Sequence, residues 1–122
     1  MTTIHHMKRD EIEAAMKEVQ PGFYQADLLP GSMAGVETYK CRLKAGALCR
    51  LKSWEDKAAA VFFISGKGSV SEGDAFFAVT ERAVFCPEIG GSDYVIQAAQ
   101  EMEFLLFVQE MSEEDKKHYE MY

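Results

Sequence analysis

The chain of 122 residues holds only three histidines, and all of them lie near its ends: His5, His6 and His118. An imidazole-built metal centre would have to draw on both termini, and the adjacent His5 and His6 point apart in regular structure, so no metal and no cofactor are expected. Cysteine is scarce as well. Cys41, Cys49 and Cys86 are odd in number and show no Cys-x-x-Cys spacing, which speaks against a disulfide framework and fits a reducing compartment. Positive charge is short: 13 Lys and Arg stand against 20 Asp and Glu, a net charge of −7. No basic face for nucleic acid or an anionic membrane is assembled cheaply from that balance, although a local basic pocket is. The start "MTTIHHMKRDEIEAAM" lacks the apolar centre of a signal peptide, and the longest apolar runs, "AAAVFFI" and "FLLFV", are strand-sized rather than membrane-sized. A cytoplasmic protein without nucleic-acid or membrane partners is the expectation.

What is present is enough for one core. With 48% hydrophobic and 27% charged residues in 13.7 kDa, the chain is expected to form a single domain over residues 1–122. Asp10 and Glu13 have the Asp-x-x-Glu form of a helix start, and Ile12, Ala15, Met16 and Val19 share one face at helical spacing. A helix over about 10–20 is predicted, stopped by Pro21-Gly22. From residue 23 the pattern changes to short runs rich in Val, Phe, Tyr and Ile, broken by turn signals such as "SGKG", "SEGD" and "PEIGGSD". That pattern predicts an antiparallel sandwich or small barrel. Two runs, "AVFFI" and "EFLLFV", are apolar on both faces and so call for a layer on each side, or a sheet on one and a partner subunit on the other. Ser112, followed by acidic residues and then Lys116, Lys117 and His118, predicts a short closing helix over about 112–120.

The segment "GALCRLKSWEDKAAAVFFISGKG" carries a more specific signal. Gly46, five residues, Lys52, Ser53, Trp54, four residues, Ala59, six residues and Gly66 match the spacing of G-x5-H-x-H-x3,4-E-x6-G, the first conserved motif of the cupin superfamily, which this chain therefore resembles. Pro87 in "VFCPEIGGSDYVIQ" sits where the second cupin motif has its proline, with Glu81 in place of the first glycine and one residue inserted after Pro87. The resemblance covers about residues 35–109. It implies an all-β jelly-roll, the double-stranded β-helix barrel, with the predicted helices at its two ends. Gly66 and Gly68 then make the tight corner, and Glu72-Gly73-Asp74 a hairpin turn. Many cupins pair edge strands, so the resemblance and the two doubly apolar strands together imply a homodimer.

Cupins that hold a metal gather two histidines, a glutamate and a third histidine at the barrel mouth. The matching positions here are Lys52, Trp54, Ala59 and Ser92 or Asp93. Lysine repels a cation and tryptophan and alanine offer no ligand, which is a second argument against a metal. Under this alignment strand alternation aims Lys52 and Trp54 inward with Arg50 and Leu48, and Ala59, Val61, Phe63 and Ser65 share the next strand's inner face. The expected ligand-binding residues are Arg50, Lys52, Trp54, Phe63, Ser92, Asp93 and Tyr94: cations to grip an anion, rings to pack on it, and polar groups at the mouth. The same Arg50 and Lys52 also fit a solvated strand face paired with Glu37, Glu55 or Asp56, and Trp54 also fits plain core filling.

The expected function is metal-independent binding of a small polar or anionic metabolite, possibly carbohydrate-derived, in the barrel mouth. Two alternatives stay open. One is a metal-independent isomerase, lyase or epimerase on a sugar or sugar acid, with Lys52, Asp93 or Glu88 as the acid or base. The other is a structural or regulatory homodimer without a ligand.

Overall fold

Alternation between buried and exposed residues marks the central strands of this molecule, most regularly at residues 102–108. The computed structural model describes residues 6–29 and 35–114. One helix, α1 (Arg9–Ala15), precedes ten strands: β1 (Lys17–Gln20), β2 (Phe23–Asp27), β3 (Val36–Leu43), β4 (Leu48–Leu51), β5 (Lys57–Ser65), β6 (Gly68–Glu72), β7 (Ala75–Val79), β8 (Val84–Phe85), β9 (Tyr94–Ala98) and β10 (Met102–Glu110). They form two antiparallel sheets, six strands in the order β1-β2-β3-β10-β5-β8 and four in the order β4-β9-β6-β7. The architecture is the all-β jelly-roll that the sequence led us to expect.

β10 is the spine of the larger sheet. It pairs along its length with β3, from Met102 opposite Leu43 to Gln109 opposite Val36, and on its other side with β5. Met102, Phe104, Leu106 and Val108 point between the sheets and are buried, whereas Phe107 on the opposite face is exposed. From β5, Val61 and Phe63 join them, and from the smaller sheet Val70, Tyr94, Ile96 and Ala98. Phe104 is the hub of the closed end. Its ring lies 6.0 Å from that of Phe23 in a stacked pair and 5.7 Å from that of Phe63 in a tilted one. Such pairs contribute roughly 0.5–1.5 kcal/mol each beyond their buried area.

Two glycines let the chain turn this corner. Gly66, with φ +90°, lies so close to the Glu101 carbonyl oxygen that a Cβ could not be accommodated, and a Cβ on Gly68 would run into the Gln97 carbonyl oxygen. The corner between β5 and β6 thus nests directly on the turn between β9 and β10.

The helical prediction for 10–20 is corrected. The helix ends at Ala15, and Met16 is already extended with ψ 129°. Residues 17–20 pair with β2 instead, Lys17 opposite Gln25 and Gln20 opposite Phe23, so Pro21-Gly22 turns a hairpin rather than stopping a helix. Cross-strand hydrogen bonding to β2 outweighs the weak local preference for helix. Glu13 does not cap the helix start either. Its carboxylate takes both terminal nitrogens of Arg42, at 2.6 and 3.0 Å, and the same guanidinium reaches Glu103 at 2.8 Å. The helix is thereby tied to the outer face of the larger sheet. β1 and β2 also extend the β-structure below residue 35, where the predicted barrel began. The predicted closing helix over 112–120 lies mostly outside the described residues, which show helical backbone only at Glu113 and Glu114.

Gln20 links the edges of the two sheets. Its amide donates to the Arg50 carbonyl at 2.8 Å and accepts from the Arg50 N–H at 2.9 Å, so the side chain of β1 serves as a pairing partner for edge strand β4.

Candidate functional site

At the end away from Phe104 the sheets part around a cavity of about 190 Å³. The larger sheet lines it with Gln25 from β2, Glu37 and Tyr39 from β3, Ala59 from β5, and Leu106 and Val108 from β10. Leu51 at the end of β4, Tyr94 at the start of β9, and Lys52 and Trp54 from the loop after β4 close the other side.

That loop is held by its neighbour. The Trp54 carbonyl accepts the Gly90 N–H at 2.7 Å, and the Ser53 hydroxyl donates to the Glu88 carbonyl at 2.6 Å. The Ser53 N–H reaches Asp93 Oδ1 at 3.4 Å, and the Glu88 N–H bonds Glu72 Oε1 at 3.2 Å. The loop after Pro87 thus clamps Trp54 against the barrel, packed on the core.

Charge gathers on this indole. Lys52 Nζ lies 4.6 Å and Lys57 Nζ 4.7 Å from the ring centroid, both within range of a cation–π attraction worth roughly 0.5–2 kcal/mol. The two lysines differ in what else they meet. Lys57 lies 3.9 Å from Glu37 Oε2, whereas Lys52 has no carboxylate partner among the described residues. Glu37 also accepts the Tyr39 hydroxyl at 2.9 Å. Burial and this bond to a carboxylate push the Tyr39 phenol up to about 12, so it stays a neutral donor at physiological pH. Tyr94 is 1% exposed, and its burial likewise pushes its phenol well above the usual value. Beneath the floor, burial raises the Cys41 and Cys49 thiols to about 12, which keeps both uncharged.

Of the residues singled out from sequence, Lys52, Trp54 and Tyr94 come together at the cavity, with Ala59 beside them. Arg50 does not. Strand β4 buries Cys49 and leaves Leu48 and Arg50 exposed, the reverse of the expected alternation. The chain leaves the strand at Leu51, so Lys52 and Trp54 reach the mouth from a loop and imply nothing about the facing of Arg50. Phe63 is inward but fully buried against Phe104, at the closed end. Ser92, Asp93 and Glu88 are exposed on the clamping loop and are not among the residues lining the cavity.

Gln25, Glu37 and Tyr39 were not anticipated as site residues. In "VETYKCRL" Glu37, Tyr39, Cys41 and Leu43 fall on one face, and the buried Cys41 and Leu43 mark that face as inward. The alternation was therefore the available signal.

No protein-family model matches this chain, and no curated protein matches its sequence. Solved structures do match. Ectoine synthase from P. lautus superposes with a TM-score of 0.74 over 96% of this chain and 86% of its own, at 16% identity. The cupin domain of Cnp3 from Schizosaccharomyces pombe gives 0.68 over 85% of this chain and 74% of its own, at 16% identity. The Cupin_2 domain of an XRE family transcriptional regulator from Enterobacter cloacae gives 0.64 over 75% of this chain and 99% of its own, at 14% identity. The fold is the cupin fold.

The metal associated with many cupin barrels does not fit the residues present at this mouth. Lys52, Trp54 and Ala59, which the motif resemblance sets against three ligand positions, offer a cation, an indole and a methyl group, and the wall supplies one carboxylate, Glu37, already bonded to Tyr39 and facing Lys57. Among the described residues no group of three His, Cys, Asp or Glu side chains is placed to hold a metal ion. What the cavity can do is bind: an ammonium and a buried phenol on one side, an amide and a carboxylate on the other, apolar surface between.

Proposed function

We propose that the barrel mouth binds a small polar metabolite through its acidic group, without a metal. The observation that carries this reading is Lys52: an ammonium held on Trp54, at the edge of a cavity, with no carboxylate partner among the described residues. The nearly fully buried Tyr94 lines the same cavity and makes no hydrogen bond to another described residue. An anionic oxygen placed there offsets the charge of the one and gives the other an acceptor.

The volume favours a molecule of few carbons, since about 190 Å³ lies below the range of roughly 300–1,000 Å³ usual for drug-sized ligands. A short sugar-derived acid fits these terms. A neighbouring depression of about 290 Å³ is less suited to an anion, because Asp27, Glu37 and Glu110 line it against Lys57 alone. The fold itself selects no activity, for its neighbours include both a synthase and a domain of a transcriptional regulator.

A thermal-shift screen across small hydroxy, amino and sugar acids tests the proposal. A ligand at a hundred times its Kd adds about 2.7 kcal/mol, or a rise in Tm of roughly 10 °C for a chain of this size. Lys52→Ala is expected to abolish that rise, and Arg50→Ala to leave it intact. A full shift in Lys52→Ala would remove this site from consideration.

We also infer that the protein pairs with a second copy of itself across the outer face of β5, β8 and β10. Phe62, Ile64, Val84 and Phe107 are exposed there, each with at least 38% of its surface open. The four side chains carry no charge, so two chains of net charge −7 can meet on them without bringing like charges together.

A further inference from the structure

The polar groups of the mouth are sorted by wall. Donors not already spent come from the side of the smaller sheet, as the Lys52 ammonium and the Tyr94 phenol; the larger sheet brings the acceptors Glu37 and Gln25, and its one hydroxyl in the lining, Tyr39, is spent on Glu37. Gln25 Nε2 gives one of its two hydrogens to Cys41 Sγ at 3.6 Å, and its carbonyl oxygen, bonded to no described residue, is open to a ligand. Glu37 Oε1 is taken by Tyr39, and its second oxygen has Lys57 only at 3.9 Å, longer than a hydrogen bond. A molecule filling the cavity therefore meets donors at one end and unfilled acceptors at the other.

From this sorting we infer that the ligand is a short carboxylic acid that also carries a hydroxyl or ammonium donor, its carboxylate on Lys52 and Tyr94 and its donor on Glu37 and Gln25. The inference rests on the mouth being the binding site proposed above and narrows what it accepts. A plain aliphatic acid would take the cationic end but strip water from Glu37 and Gln25 without replacing the lost hydrogen bonds. A dianion would bring its second charge against the Glu37 carboxylate. Specificity then comes from the acceptor wall as much as from the lysine.

Trp54 is the single tryptophan of the chain and lines the cavity, so its emission reports on this site directly. The experiment titrates the full chain with propionate, lactate, alanine, β-alanine and malonate, following that emission, in the wild type and in Glu37→Gln. At least one of lactate, alanine and β-alanine is expected to bind about tenfold more tightly than propionate and malonate, the factor corresponding to one charge-assisted hydrogen bond. Glu37→Gln, close in shape, is expected to shrink that preference to about threefold or less. Propionate or malonate binding as well as the donor-bearing acids, or a preference unchanged in Glu37→Gln, overturns the assignment of ligand class and leaves the mouth a binding site. Silence toward all five probes, with some other compound giving Lys52-dependent stabilisation, also overturns the class alone. Silence together with no Lys52-dependent stabilisation by any compound overturns both readings.

Discussion

At the scale of single residues, neighbours matter more than motif positions. Lys52 and Trp54 stand where metal ligands stand in the motif that the chain resembles, and both reach the mouth, yet as cation and ring they give it a different chemistry. Tyr39 has the sharper consequence for stability. Its folded phenol is raised from 10.0 to about 12, and the Cys41 and Cys49 thiols from 9.0 to about 12. In each case the unfolded chain gives up its proton first as pH rises, so the native state holds more protons and loses stability with increasing pH. The stabilisation is fully present below about pH 9, the unfolded thiol value, and is lost toward about pH 12. Urea midpoints measured across this window should fall continuously, and Tyr39→Phe should fall less between about pH 10 and 12. A midpoint unchanged up to pH 12 would contradict the burial of these groups.

At the scale of elements, the strands with strong alternation were legible and those whose partner decides their state were not. β5 and β10 were readable as doubly apolar runs, and Gly66 and Gly68 as a tight corner, whereas the carbonyls that exclude a side chain there come from the distant Gln97 and Glu101. Residues 17–20 were misread because Ile12, Ala15, Met16 and Val19 do repeat at helical spacing; only β2, several residues further on, draws the segment into a sheet. β4 was misread for a different reason. The motif positions Lys52 and Trp54 imply an inward Arg50 only if the strand runs on through them, whereas β4 ends at Leu51 and buries Cys49. The face of Glu37 and Tyr39 follows from the alternation of β3, whereas Gln25 joins that wall only through the pairing of β2 with β3, which puts Gln25 opposite Cys41. The corner itself is a test of the packing. Gly66→Ala combines a left-handed backbone with a clash against the Glu101 carbonyl, and should cost at least about 2 kcal/mol in a urea titration. A change within ±0.5 kcal/mol would show that β5 and β10 do not approach as described.

At the scale of the whole molecule, the cupin fold divides the labour between its two ends. Phe23, Phe63 and Phe104 fill one end, and the other keeps a cavity whose walls differ in hydrogen-bonding character. The exposed apolar strip on β5, β8 and β10 belongs to this scale too. Light scattering on the purified chain should give twice the 13.7 kDa of one copy, and Phe107→Lys should return it to a single copy while leaving Lys52-dependent ligand stabilisation in place. A wild-type mass of one copy would end the pairing inference without touching the mouth.

The central claim is that the mouth holds its ligand by cation, phenol and carboxylate in place of a metal. A crystal structure grown with the acid that most stabilises the protein tests it most directly. The account predicts one molecule of the acid in the cavity, with its carboxylate between Lys52 Nζ and the Tyr94 hydroxyl. The acid bound instead at Arg50 on the outer edge, or an ion held at the mouth by protein donors, would contradict it.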